Sequence, residues 1–463
     1  MIPDEKDSFR DHVATISKEG KRNWIYPKKP AGPFYRYRTW FAWFLLVLMF
    51  AGPFIRYNGH PIMLLNIIER KFIIFGIPFW PQDFHLFVLA MLTFIVFIIL
   101  FTVLFGRLWC GWACPQTIFM EMVFRKIEYL IEGDYMQQKA LNAAPQSPAK
   151  FRKKALKHTL FFILSFLIAN TFLAYIIGTD ELLQIVTDDP SKHVGGLFSI
   201  TLFTGVFFGV YTRFREQACI VVCPYGRLQG VLLDRNSVVI GYDYKRGEPR
   251  GKLHKGEERK QGDCIDCHQC VQVCPTGIDI RNGTQLECVN CTACIDACDS
   301  IMEHIKKPKG LIRYTSEAAI ASGSKFRITP RIAAYSVVLS ILLITLVSLL
   351  ALRTDVEAIV LRTPGMLFQA RGEQVSNLYN VKIVNKTFRD MPVSIKVIEP
   401  SGSVQWVGSG ISTLREQDLS EGEFFLYLDK KDIRQTKTKV RLQILSNGQV
   451  VDEAETSFIG PTN

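Results

Sequence analysis

The residues of this 463-residue chain whose types and spacing could do chemistry are its twelve cysteines. Eight form a cassette. Cys264-x2-Cys267-x2-Cys270-x3-Cys274-Pro275 is followed, 13 residues on, by Cys288-x2-Cys291-x2-Cys294-x3-Cys298. This spacing holds paired [4Fe–4S] clusters: three close thiolates fill three corners of a cubane, and the distant cysteine of the other run fills the fourth. The expected ligand sets are Cys264, Cys267, Cys270 and Cys298 for one cluster, and Cys274, Cys288, Cys291 and Cys294 for the other. Paired Cys-x2-Cys motifs also bind zinc, but two complete four-cysteine runs favour iron. Asp299 stands where such a run usually carries proline, so the local turn should differ there, and its charge should lower one cluster's potential. His268, inside the first run, is either a hydrogen-bonding tuner or solvent-facing.

The other four cysteines form two matching pairs, Cys110-Gly-Trp-Ala-Cys114-Pro115 and Cys219-Ile-Val-Val-Cys223-Pro224, offset by 109 residues. The offset implies an internal repeat, with spans one and two echoed by spans three and four. Cysteines at i and i+4 share a helix face. Proline disfavours helix in the residue before it and can open a new helix. A thiolate at such a start is stabilised by the helix dipole, and Arg107, Arg213 and Arg215 add positive charge nearby. Thiolates of this kind suit a soft ion such as Cu(I). Plain packing, a redox-active disulfide, a third iron–sulfur cluster and a haem environment stay open as alternatives. Spacing does not say whether the two pairs meet. Residues 115–131 read as an amphipathic surface helix, with Ile118, Phe119, Met122, Ile127 and Leu130 on its apolar side.

The elements that must position these residues begin with five uncharged, mostly apolar stretches: Thr39–Ile55, Phe84–Gly106, Thr159–Thr179, Val194–Thr212 and Ile332–Leu352. Each is about long enough to cross a bilayer as a helix. The flanking segments carry nine, three, nine, one and nineteen Lys/Arg in turn, which alternate as the positive-inside rule requires. The N-terminus and the cassette are therefore expected in the cytoplasm and the C-terminus in the periplasm. Residues 353–463 hold 14 basic and 14 acidic side chains, so the net charge of +12 belongs to the rest of the chain. Membrane orientation accounts for it better than nucleic acid. Residues 1–38 lack a signal-peptide pattern, so span one should persist as an anchor. The segment Pro61–Pro81, interrupted by Glu69, Arg70 and Lys71, is expected to lie on the outer membrane surface. His60, Met63, His85 and His193 fall near the outer ends of spans and serve as anchors or as a copper entry point. Arg152-Lys153-Lys154 reads as a lipid-facing anchor.

Residues 370–463 read as an immunoglobulin-like sandwich with strands Tyr379–Val384, Val393–Ile398, Gly402–Val407, Glu423–Leu428, Lys439–Leu445 and Gln449–Phe458, and a hairpin turn at Ser446-Asn447-Gly448. The expected fold is thus mixed: a five-helix transmembrane bundle, a cytoplasmic ferredoxin-like insertion with two [4Fe–4S] clusters, and a C-terminal Ig-like β-sandwich. Its segments are 1–38 cytoplasmic, 39–215 the first four spans with the Cys-x3-Cys-Pro motifs, 216–331 the ferredoxin-like domain and linkers, 332–352 span five, and 353–463 the periplasmic sandwich.

This constellation resembles the FixG/RdxA family of cytochrome c oxidase accessory proteins, also called CcoG, over nearly the full chain. The resemblance implies a bacterial inner-membrane oxidoreductase that reduces Cu(II) to Cu(I) during assembly of cbb3-type cytochrome oxidase. It also implies that Cys110, Cys114, Cys219 and Cys223 handle copper and that the eight cassette cysteines hold the clusters. The implied partners are a cytoplasmic electron donor, a copper chaperone or transporter, the oxidase assembly machinery and the lipid bilayer. A homodimer stays open. Spacing alone supports membrane-bound electron transfer. Two other readings are a quinol-linked relay, which needs a quinone pocket, and a redox-sensing assembly scaffold.

Overall fold

The computed structural model describes residues 14–17, 19–67, 71–252, 261–323, 328–433 and 435–461. Among them five helices are long and apolar enough to cross a membrane: Pro33–Phe54, Phe84–Phe105, Pro148–Ile177, Val194–Phe214 and Pro330–Ala351. Each overlaps one expected span. The third starts about three turns early, because the Ser147 hydroxyl caps it by accepting from the Lys150 amide and Pro148 opens its first turn. Large apolar side chains on the spans, such as Val47, Leu48, Phe94 and Ile344, face outward. Lipid tolerates such a surface and water does not. The chain is a membrane protein.

It divides into two compact units, one of Met1–Pro53 with Ala90–Leu343 and one of Phe54–Leu89 with Ile344–Asn463. Residues 54–89 belong with the C-terminal strands in the second unit. The first unit is built around the segment after Cys114. Helix Pro115–Ile118 runs into a π-helical stretch, Phe119–Phe124, and on into helix Arg125–Ile131. This is not a surface helix. Phe119 and Phe124 are buried, Leu130 is 84% exposed, and Arg125 and Glu128 point inward. Phe124 stacks on Tyr211 at 4.2 Å and meets Phe161 edge-on at 4.7 Å, so one helix joins spans three and four. The extra residue of a π turn rotates the following face, and inward charges become tolerable because partners from other segments meet them. Arg215 forks onto Glu128 at 2.6 and 2.9 Å. Lys154 and Lys157 each reach Glu132 at 2.8 Å. Lys154 therefore turns inward, contrary to the lipid-facing reading. Arg22 pairs with Glu216 at 3.0 Å.

The second unit contains seven principal strands: β1 (Val356–Arg362), β2 (Gln374–Asn385), β3 (Ser394–Glu399), β4 (Gly402–Trp406), β5 (Leu419–Asp429), β6 (Lys437–Ser446) and β7 (Gln449–Ile459). They form two antiparallel sheets, ordered β4-β5-β2-β1 and β3-β6-β7. Val375, Tyr379, Phe424, Leu426, Leu442 and Phe458 fill the core. All six expected strands are present. The Asn447-Gly448 turn has positive φ at both residues, as a two-residue type I′ hairpin requires. β1 was missed because it buries Val356 and Val360, four residues apart, instead of alternating strictly. The segment expected on the outer membrane surface forms a small sheet, Met63–Asn66, Lys71–Ile74 and Ile77–Phe79. Its apolar residues satisfy their backbone across strands, with Leu64 opposite Ile73. Glu69 and Arg70 lie outside the described residues.

Asp83 organises this unit. Its carboxylate takes the Lys386 ammonium at 2.8 Å and the Arg353 guanidinium at 2.7 Å, and Lys386 also reaches Glu357 at 2.7 Å. Burial pushes the Asp83 carboxyl up, but Lys386 and Arg353 outweigh it and hold it below the usual range. Its stabilising contribution is therefore complete above the ordinary carboxylate pKa and lost as pH falls through the lower folded value. Asp83→Ala should destabilise the unit by about 3 kcal/mol, because buried Lys386 loses a counter-charge. Pulse proteolysis of the full chain at neutral pH checks this; unchanged protection would rule out the role.

Candidate functional site

The cassette folds as two matching loops. Asp266 and His268 in the first run, and Asn290 and Thr292 in the second, have positive φ at equivalent places. Such alternation of left- and right-handed residues shapes backbone concavities that receive anions and iron–sulfur groups. Each run then enters a helix, Gln269–Gln272 or Ala293–His304. The first ends before Cys274-Pro275, while the second continues through Cys298-Asp299 because no proline stops it. The Asp299 carboxylate accepts the Gly310 amide at 2.8 Å, so it holds the following loop.

All twelve cysteines are free thiols. A hollow of about 360 Å³ is lined by Cys264, Cys267, Cys270 and Cys298. A second, of about 330 Å³, is lined by Cys274, Cys288, Cys291 and Cys294, with Cys270 at its edge. The distant cysteine of each run thus lies with the three of the other. Burial pushes the Cys270, Cys288 and Cys298 thiols up to about 12. A cationic group must supply the energy to deprotonate them, which iron does. Thiol-lined hollows in left-handed loops fit a cubane cluster. His268 receives Arg281 at 3.0 Å and is 54% exposed on its side chain, so it is part bonded and part solvated.

The two Cys-x3-Cys-Pro pairs lie within electrostatic reach of one another. Cys114 and Cys223 are the N-caps of helices Pro115–Ile118 and Pro224–Leu232, with nearly equal dihedrals (−63°, 124° and −68°, 112°). The repeat is therefore structural. Cys110 feels Cys114 and Cys223 electrostatically, and Cys219 feels the other three. Burial pushes Cys219 up to about 12 and also raises Cys110, where the Arg107 guanidinium opposes it. Arg215 gives Cys219 no relief, because Glu128 engages it.

The first member of each pair lies beside residues that line the second hollow. Cys110 packs with Cys291, Val273, Val289 and Ala293 in one buried cluster. A cavity of about 340 Å³ beside Cys219 is lined by Met120, Glu121, Glu216, Thr276 and Val289 among others. Gly111 permits the approach: a Cβ there would lie 2.3 Å from the Val289 carbonyl oxygen and 2.8 Å from that of Asn290. Arg38, buried in the first turns of span one, donates to the Gly111 carbonyl at 2.6 Å. Gln229, fully buried, accepts from the Cys110 thiol at 3.2 Å and from Arg107 at 2.8 Å.

Sequence reading missed Gln229, Arg38, Met120, Glu216 and Asp296. Only Asp296 carried a signal, being a charge inside the second cysteine run. It accepts the Phe34 and Tyr35 amides at 3.2 and 2.8 Å and so caps span one from another element. His60 stacks on Phe388 at 4.5 Å and lies 3.6 Å from Glu416, whereas His193 lies 3.2 Å from Asp188.

Family profiles match three stretches: a 4Fe-4S dicluster domain at residues 214–317, a 4Fe-4S binding domain at 87–132 and the IG-like fold at the C-terminus of FixG at 346–461. Protein RdxB of Cereibacter sphaeroides is 35% identical over 404 residues, covering 82% of this chain and 83% of that protein. Protein RdxA of the same organism is 33% identical over 398 residues, with 82% and 83% covered. Nitrogen fixation protein FixG of Rhizobium meliloti is 35% identical over 307 residues, covering 64% of this chain and 58% of that protein. The chain belongs to the FixG/RdxA family. As a FixG-family protein with 4Fe-4S domains, it is an oxidoreductase working by iron–sulfur electron transfer.

Gly111→Ala should force the first pair away from the 289–290 loop at a cost of about 1–3 kcal/mol. The electron paramagnetic resonance signal of one cluster should change while the other persists; an unaltered spectrum would mean that the contact is dispensable. Asp296→Ala should cost about 1 kcal/mol through the lost cap, read as a lower Tm of the detergent-solubilised chain, whereas Asp296→Asn should retain much of it.

Proposed function

We propose that this protein is a cupric reductase of the bacterial inner membrane. It passes electrons from a cytoplasmic donor to Cu(II), and the Cu(I) formed serves assembly of a cbb3-type cytochrome oxidase. The observation that carries the reading is the convergence of two Cys-x3-Cys-Pro pairs beside a thiol-lined hollow. The oxidase and the copper carrier follow from the family resemblance. In this reading the cassette faces the cytoplasm and the sandwich the periplasm.

Cys264, Cys267, Cys270 and Cys298 would hold one [4Fe–4S] cluster, and Cys274, Cys288, Cys291 and Cys294 the other. Bound there, such clusters supply one-electron carriers. Copper is the substrate. Each Cu(II) takes one electron, and Cys110, Cys114, Cys219 and Cys223 receive the Cu(I). Sulfur ligands prefer the softer reduced ion, so these residues favour the product. Cys110 and Cys219 must release protons as they bind metal, since burial keeps their thiols protonated. Gln229 orients the Cys110 thiol, and Glu216 and Met120 border the space beside Cys219.

The test is anaerobic. The reduced protein is mixed with Cu(II), and cluster bleaching is followed alongside Cu(I) capture by a chelator. Rapid stoichiometric reoxidation is expected. Cys110→Ser with Cys114→Ser should slow it by more than the ~100-fold typical of changes around a metal site, with cluster spectra intact. Full activity in that variant would sink the assignment, as would fast reaction with a quinone but not copper. Iron analysis should find about eight atoms per chain; about twelve would assign the pairs to a third cluster.

A further inference from the structure

On span one, Arg36, Trp40 and Trp43 fall at i, i+4 and i+7, on one helix face. With Tyr35, Thr39 and Lys126 they line an open groove of about 820 Å³. Trp40 is 75% exposed and Trp43 52%, at the end of the span where tryptophan seats helices in the interface. Lys126 lies 5.7 Å from the centre of the Tyr35 ring. Among the described residues no carboxylate forms an ion pair with Arg36 or Lys126. The nearby Glu121 is engaged by Arg125 at 3.0 Å. Burial disfavours the charge on Lys126, and the cations Arg38 and Lys29 disfavour it further.

We propose that this groove binds the phosphate headgroup of an anionic glycerophospholipid. Two unpaired cations supply the charge that a phosphodiester needs, and the indoles of Trp40 and Trp43 line the path of its glycerol and acyl chains. A zwitterionic lipid fits worse, because its ammonium would enter a field already positive. The site lies one turn from the clamp at which Asp296 takes the Phe34 and Tyr35 amides. An occupant therefore fastens span one to the helix Arg125–Ile131, which carries Lys126. This goes beyond the copper reading and does not depend on it.

The test uses the full chain in nanodiscs of phosphatidylcholine with or without phosphatidylglycerol, together with native mass spectrometry of the detergent-solubilised protein. Phosphatidylglycerol should raise Tm, and one such lipid should stay bound. Arg36→Gln with Lys126→Gln should weaken that binding about thirtyfold, taking each cation's contribution at an anionic headgroup. An intact iron–sulfur spectrum shows that the variant is folded. Trp40→Leu serves as a second variant that keeps both cations and should weaken binding less. Equal retention by wild type and double variant would overturn the site. So would equal stabilisation by inorganic phosphate alone, or by a neutral quinone analogue that displaces the lipid.

Discussion

The backbone of Gly111 lies so close to the carbonyls of Val289 and Asn290 that no side chain fits between them. That contact ties the membrane helices to the iron–sulfur cassette. It brings Cys110 against Cys291, and Arg38 holds it from span one through the Gly111 carbonyl. Only glycine allows the approach, and buried packing around Val273 and Ala293 makes it a fixed junction. The junction therefore depends on two backbones in near contact, with Cys110 and Cys291 packed beside them.

Around this junction the protein accepts a dense set of buried charges. Glu128, Arg215, Glu132 and Lys157 pair with one another across separate segments, and Arg125 pairs with Glu121 on its own helix. Burial pushes the Glu128 carboxyl up, but Arg215 and Lys157 prevail and hold it low. A buried pair is weak evidence for stability, since desolvation offsets much of its attraction. Its effect here is positional: Arg215, which might have lowered a thiol pKa, is committed to Glu128. Burial thus keeps the first thiol of each pair above its ordinary pKa.

Much of this was readable before any coordinates. Span positions followed from charge-free length, and the six expected strands followed from alternation and turn chemistry, down to Asn447-Gly448 in its hairpin. The helix after Cys114 was misread. Its apolar spacing suggested a surface element, but a π turn and partners about 90 residues away put its charges inside. Residues 61–81 carried no secondary-structure reading, because short apolar runs fit a strand as well as a helix and neighbouring strands decide between them.

The sequence by itself determined the chemistry available: eight thiols in cluster spacing, two repeated Cys-x3-Cys-Pro breaks and five membrane-length helices. These are local properties, set by residue type, proline stereochemistry and apolar run length. Only the tertiary structure decided that the two pairs lie within electrostatic reach of one another, that Cys110 and Cys219 lie beside residues of the second hollow, and that Gln229, Arg38 and Asp296 hold the junction. Those contacts join positions up to about 260 residues apart. No local rule encodes them, because they arise when separate segments bury their polar groups against one another.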